Sequence, residues 1–336
     1  MKVIHSGDIV NLVSKRAKAA LGNQQVLLLI VLAVMILGFS LKSPDFFARP
    51  VFANILADWY PLILIAIGET FVIISGGIDL SVGATVGVSG VVSAIAMEHL
   101  TNSHYGANVT LLIGFLVAVG VGLVVGILNT MMITKAGVVP FIATLVTLGA
   151  GEGLSVVFTG GSPIGGGPSN AINLSVANIF NLFSRPGILI ILLVVILGLY
   201  LHKTRFGRYT FAIGSNPFAA RAAGINVNRH LAKVYILSAV LSSFAGYYFY
   251  LRLSVGAPTT GNGAELQAIA AVVIGGVALS GGQGNFLGTV LGAAIISVVA
   301  SGLLFINVPA NWKQVVVAAL IFVAVFLQEL RTRVRK

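Results

Sequence analysis

The chain has 336 residues, 57% of them hydrophobic and 9% charged, with a mean hydropathy of +1.01. So few charges cannot wrap a soluble surface, and several apolar runs reach the roughly 20 residues that cross a bilayer, which points to an all-α polytopic membrane protein. The net charge of +11 is spread over short loops rather than gathered in one patch, which argues against nucleic acid, and the lack of cysteine excludes disulfides, thiolate metal sites and cysteine nucleophiles.

In chain order, residues 1–24 are polar and basic, with Lys15, Arg16 and Lys18 just ahead of a first span, Gln25 to Leu41. No small-residue cleavage site follows, so this reads as an uncleaved anchor with a cytoplasmic N-terminus. Lys42 to Pro61 carries Phe46, Phe47, Trp59 and Tyr60 and reads as interfacial. A second span, Pro61 to Ser75, runs into SGGIDLSVG, and a third continues to about Met97. The fourth is Val109 to Met132 and the fifth Phe141 to Phe158, followed by a long Gly-, Ser- and Asn-rich loop to Pro186. The sixth is Gly187 to Leu201, the seventh Val234 to Leu251, the eighth Leu266 to Leu279, the ninth Asn285 to Leu304 and the tenth Trp312 to Gln328. The transmembrane domain is thus expected at 25–328, with a basic cytoplasmic tail at 329–336. With both termini inside, ten crossings put 15 of the 20 Lys and Arg on the cytoplasmic side, the bias that positive-inside topology requires. The second and eighth spans are short, and either fits a broken or re-entrant helix. An echo between them, Ile73 to Gly83 against Val272 to Gly282 at a constant offset of 199 residues, reads as a parallel repeat or as chance similarity of two glycine-rich runs.

Between the sixth and seventh spans lies the basic segment 202–233. Asn216 as N-cap, Pro217 at the first helical position and Gly224 as stop predict a helix of one to two turns. Among the few acids within spans, Glu69 suits either pore lining or helix packing. Asp79 suits a structural cap beside Ser81, and either is placed to serve a proton relay. Leu279 to Gln283 spells LSGGQ, but no G-x-x-x-x-G-K-[ST] loop accompanies it, so it reads as a glycine turn. The five histidines show no metal-ligand spacing and read as solvent-exposed, and nothing calls for a cofactor or a catalytic set.

SGGIDLSVGA (Ser75 to Ala84), TRFGRYTFAIGSNPFAARAAGI (Thr204 to Ile225) and AVVIGGVALSGGQGNFLGTVLGA (Ala271 to Ala293) resemble the membrane permease of ribose-type ABC sugar importers over nearly the whole chain. The resemblance implies a permease that pairs with a second copy or a paralogue in the bacterial inner membrane. It also implies a separate cytoplasmic ATPase subunit that hydrolyses the ATP and an extracytoplasmic sugar-binding protein. That protein would be received by Lys42 to Arg49, Thr159 to Arg185, Arg252 to Gly263 and Phe305 to Asn311. The ATPase-coupling helix would lie at Gly214, Ser215, Asn216, Pro217, Ala220, Arg221, Gly224 and Ile225. A sugar needs hydroxyl partners and flat apolar faces, so Asn54, Phe71, Ser75, Ser81 and Gln267, with Glu69 and Asp79, are candidates for the path. The expected cargo is a monosaccharide, first a pentose such as ribose. An ion-coupled secondary transporter, a membrane enzyme or scaffold, and an importer of nucleosides or branched-chain amino acids are the alternatives.

Overall fold

The structure, a computed structural model, describes residues 24–176, 179–309 and 312–334. The cytoplasmic segment expected at 1–24 and the last two residues of the basic tail fall outside these, except Gln24. The helices are α1 (Gln24–Lys42), α2 (Arg49–Ile74), α3 (Val82–Asn102), α4 (Ala107–Thr130), α5 (Pro140–Thr159), α6 (Ala171–Ser175), α7 (Arg185–Lys203), α8 (Arg205–Ser215), α9 (Pro217–Ala222), α10 (Val227–Leu253), α11 (Ala264–Ile274), α12 (Phe286–Phe305) and α13 (Trp312–Val334). Eight of these are long and apolar enough to cross a membrane, and Ala264–Ile274 and Trp312–Phe326 are shorter apolar helices, ten in all among the described residues.

The spans differ from expectation where packing overrides local signals. The second span is 26 residues long, not short, because it begins at Arg49 and carries Pro61 in its interior. Neighbouring helices make an interior proline tolerable in such a helix. Trp59 and Tyr60 accordingly lie in the core rather than at the interface, Tyr60 only 1% exposed with its ring 5.7 Å from that of Tyr248. The eighth span is short as expected, and its 11 residues reach about 16 Å, roughly half a bilayer core. The seventh starts at Val227, and the basic segment holds two helices where one was expected.

α2 is the axis of the fold. Every residue from Trp59 to Ile74 is buried, as an all-round apolar sequence demands. α10 packs along α2, α3 and α4, α5 lies on α3, and α7 lies on α2. On its other side α2 carries α11 and α12, with α1 on α12 and α13 on α11. Without a hydrophobic drive between helices in lipid, such packing depends on small residues that let backbones approach. Gly122 and Gly126 of α4 do this against α10, where a β-carbon at Gly126 would come within 2.7 Å of the Ile236 Cα.

Gly126→Val is therefore expected to push α4 off α10 and cost about 1–3 kcal/mol, read as a lower Tm in detergent. Gly120→Ala, where a β-carbon meets open space, should leave it unchanged.

Candidate coupling and translocation site

The segment between α7 and α10 is built as a small separate unit. α8 turns Gly207, Thr210 and Ile213 inward and leaves Arg205, Arg208 and Tyr209 outside. Thr210 is tied to α10 through a 2.9 Å hydrogen bond with His230 Nε2, and a second histidine ring, His202, accepts the Phe286 N–H at 3.3 Å. His230 is only 6% exposed and is structural rather than the solvated residue expected from the sequence, whereas His202 stays exposed as expected while its ring accepts this bond.

α9 is bounded at both ends. Asn216 Oδ1 accepts the Phe218 and Ala219 N–H groups at 3.0 Å each. At the other end Ile225 N–H donates to Ala220 O at 3.0 Å and Gly224 N–H to Arg221 O at 2.9 Å, the paired bonds of a Schellman cap with Gly224 left-handed at φ +82°. Ala220 packs against Ile213 and Val227 with Ile225 alongside, so it holds the helix in place and does not face outward. The outer strip is Pro217, Phe218, Ala219, Arg221 and Ala222. Phe218, which the motif reading passed over, stands 77% exposed at its centre.

The same segment is joined to the core through glycines. Gly214 sits where a side chain would strike Ile74 O, and Ser215 meets Gly282. Gly282 N–H donates to Ile74 O at 2.8 Å, and Gly281 lies against both Gly76 and Gly214. The end of α8, the end of α2 and the LSGGQ turn between α11 and α12 therefore meet backbone to backbone. The two glycine-rich stretches end their helices in one motif: Gly77 N–H bonds Val72 O and Gly76 N–H bonds Ile73 O, while Val277 N–H bonds Val272 O and Gly276 N–H bonds Val273 O. Gly76 and Gly276 carry φ of +89° and +87°. The register of the caps is thus 200 residues, one more than the letter-by-letter match, because the left-handed residue and not the apolar run fixes where a helix stops.

Just beyond the α2 cap is a buried polar cluster. Asp79 Oδ1 accepts the Ser81 N–H at 3.0 Å and the Ser81 hydroxyl at 2.5 Å, and Oδ2 accepts the Ser238 hydroxyl at 2.9 Å. Ser81 Oγ in turn accepts from Asn129 Nδ2 at 2.8 Å, and Asn129 Oδ1 from the Thr147 hydroxyl at 2.7 Å. Glu69 Oε1 accepts the Asp79 N–H at 3.1 Å. Glu69, Asp79, Ser81, Asn129 and Ser238 are all fully buried. The cluster joins α2, α3, α4, α5 and α10, and none of its side chains lines either of two cavities, of about 380 and 450 Å³, found elsewhere among the described residues.

At the opposite end of α2, about 24 Å away by helix rise from Ile74 to Asp58, lies a polar cavity of about 380 Å³. Gln267 lines it together with Asp58, Asn262, Lys313, Gln314 and the Phe249 ring. Asp58 pairs with Arg252 at its edge. Of the path candidates only Gln267 reaches this space. Asn54 is exposed on α2, Phe71 is buried with its ring 5.8 Å from that of Phe206, Ser75 bonds Val72 O at 2.7 Å, and Glu69, Asp79 and Ser81 belong to the buried cluster. Asp58 was hidden in the sequence because the stretch around it read as interfacial, and Lys313 because it read only as the basic outer end of the tenth span. Glu152 stands exposed in the body of α5 beside Gly149 and Gly153, where a β-carbon on either glycine would meet nothing within 4 Å.

The family model described as branched-chain amino acid transport system / permease component matches residues 51–325. The ribose import permease protein RbsC of Escherichia coli K12 is 38% identical over 302 residues, 89% of this chain and 92% of that protein. RbsC of Bacillus subtilis 168 is 38% identical over 297 residues, 88% and 90% of the two chains. The galactose/methyl galactoside import permease protein MglC of E. coli K12 is 34% identical over 320 residues, 92% and 94%. No solved structure matches.

The cluster predicts an ordered pair of losses. Asp79→Ala strands three buried donors and should lower unfolding free energy in detergent by about 3 kcal/mol or more, against about 1 kcal/mol for Ser238→Ala. Equal effects of the two would mean that Asp79 is not the centre of the cluster.

Proposed function

We propose that this chain, which belongs to the branched-chain amino acid transport system / permease component family, is the membrane permease subunit of a binding-protein-dependent ABC importer for a monosaccharide. The relatives named for ribose and for galactose import support a sugar cargo, a pentose such as ribose first. The observation that carries the reading is α9: a helix closed at both ends, seated on its own small core, with Phe218 and Arg221 facing outward.

A separate ATPase subunit docks on that strip and supplies ATP hydrolysis. Movement of α9 passes through α8 to the glycine junction at the ends of α2 and α11, a rigid-body mode of switching. The solute enters from the other end, where a sugar-binding protein delivers it and where the cavity around Gln267 offers amide, carboxylate and ammonium partners beside the flat face of Phe249. A second copy of the permease meets α5, because a carboxylate in the body of a span does not face lipid and Glu152 stands exposed among the described residues. The chain resides in the bacterial cytoplasmic membrane with both termini and α9 on the cytoplasmic side, the arrangement that the Lys and Arg distribution supports. An ion-coupled relay through Glu69 and Asp79 is disfavoured by their enclosure in a hydrogen-bonded cluster away from the cavities.

Phe218→Asp is expected to weaken association with the ATPase subunit roughly thirtyfold and to abolish ATP-driven sugar uptake in proteoliposomes, with the Tm unchanged because the side chain is 77% exposed. Undiminished association would overturn the docking surface. Gln267→Leu should raise the KM for sugar uptake while leaving ATPase association intact, and an unchanged KM would remove the cavity from the path.

A further inference from the structure

On the flank away from α11 and α12, a crevice of about 450 Å³ opens between α4 and α7, with α10 as its floor. Its lining is apolar almost throughout: Leu112 and Phe115 on one wall, Leu189 and Leu193 on the other, Phe244 and Tyr247 beneath. The Tyr247 hydroxyl is already satisfied by Leu111 O at 2.8 Å, so it makes no polar demand on whatever fills the space. At one end of the crevice stands Arg185, the first residue of α7. Arg185 is exposed and makes no ion pair among the described residues, and the loop ahead of it, 160–184, contains no acidic residue in its sequence.

A slot that is apolar along about 12 Å of α7, from Arg185 to Leu193, and cationic at its mouth has the shape and charge order of an amphiphile with an anionic head. In a membrane-spanning chain, a gap between two spans is open sideways to acyl chains. A guanidinium at the end of a span lies at the depth of the phosphates, where it binds them in bidentate fashion.

We propose that this crevice is a binding site for one anionic glycerophospholipid, with an acyl chain between α4 and α7 and the headgroup phosphate on Arg185. The leaflet is the one at the Asp58 end of α2, opposite α9, since α7 enters at Arg185 and leaves at Lys203 into the coupling segment. α7 is therefore both a wall of the lipid site and the strut that carries α8 and α9. Occupancy fixes the distance between α4 and α7 and so biases how far the strut tilts. This last step, unlike the binding itself, rests on the proposed coupling role of α9.

The test uses the full-length permease in nanodiscs of phosphatidylglycerol and phosphatidylcholine with identical acyl chains, released for native mass spectrometry. Wild type should retain phosphatidylglycerol about fivefold over phosphatidylcholine, and Arg185→Gln should erase the preference, the scale of one basic side chain at a lipid surface. Leu189→Trp, at a residue 67% exposed, should fill the slot and abolish retention of both lipids without lowering the Tm. Equal retention of the two lipids by wild type, or an undiminished preference in Arg185→Gln, overturns the proposal. So does a Leu189→Trp variant that keeps its lipid, or one that loses dimer mass, which would assign the crevice to a second copy. ATPase association measured on the same variants separates this outcome from failure of the docking helix, which neither substitution touches.

Discussion

A carboxylate withdrawn from water must be met by donors, and the donors that meet Asp79 come from its own turn and from α10, with the hydrogen-bond chain running on through Ser81 to α4 and α5. A buried polar network is useful only when it is nearly complete, because each stranded donor carries its full desolvation penalty. Here it fixes the rotation of α3, α4, α5 and α10 about α2 at a single setting. Apolar packing alone would leave neighbouring settings close in energy, since lipid gives helices little reason to prefer one apolar contact over another. The cluster sits immediately past the point where α2 stops, so the polar setting of the bundle and the position of the α2 cap are one constraint.

That cap explains why glycines dominate the motifs. Gly76, Gly276, Gly281 and Gly282 are all left-handed, and Gly214 lies where any side chain would enter Ile74 O. These positions serve two needs at once: they stop α2 and α11 short, and they let three backbones meet without side chains between them. A junction made of backbone transmits displacement with little slack, because there are no rotamers to absorb it. The LSGGQ run belongs to this junction, and its likeness to a nucleotide-binding signature comes from glycine geometry rather than from phosphate chemistry.

The molecule therefore sets two features at opposite ends of one rod. α9 and the glycine junction lie at the Ile74 end of α2, and the polar cavity lies at the Asp58 end. A rod buried along its whole second half cannot bend freely, so a push at one end is felt at the other as tilt. Arg252 and Asp58 hold the cavity end to α10, and Thr210 with His230 holds the α8 end to the same helix, so α10 is braced against α2 and α8 at opposite ends.

Much of this was legible in the chain itself. The apolar run lengths set the all-helical membrane class, and Asn216, Pro217 and Gly224 set the position of α9, because caps depend on residues adjacent in sequence. The glycine turns after Ile74 and Ile274 were visible for the same reason. What the sequence left open were contacts between distant residues. The aromatic preference for headgroups placed Trp59 and Tyr60 at an interface that packing turned into core and hid Asp58 at the rim of a cavity, and the family resemblance offered Ala220 as a contact residue when Ile213 and Val227 claim that face. The repeat register moved from 199 to 200 because letters align by composition, whereas a helix ends where one residue turns left-handed. Local chemistry determined which elements form and where they stop. Only the tertiary structure decided which faces meet, because Ser238 reaches Asp79, and Asp58 and Lys313 reach the cavity at Gln267, from helices far away along the chain.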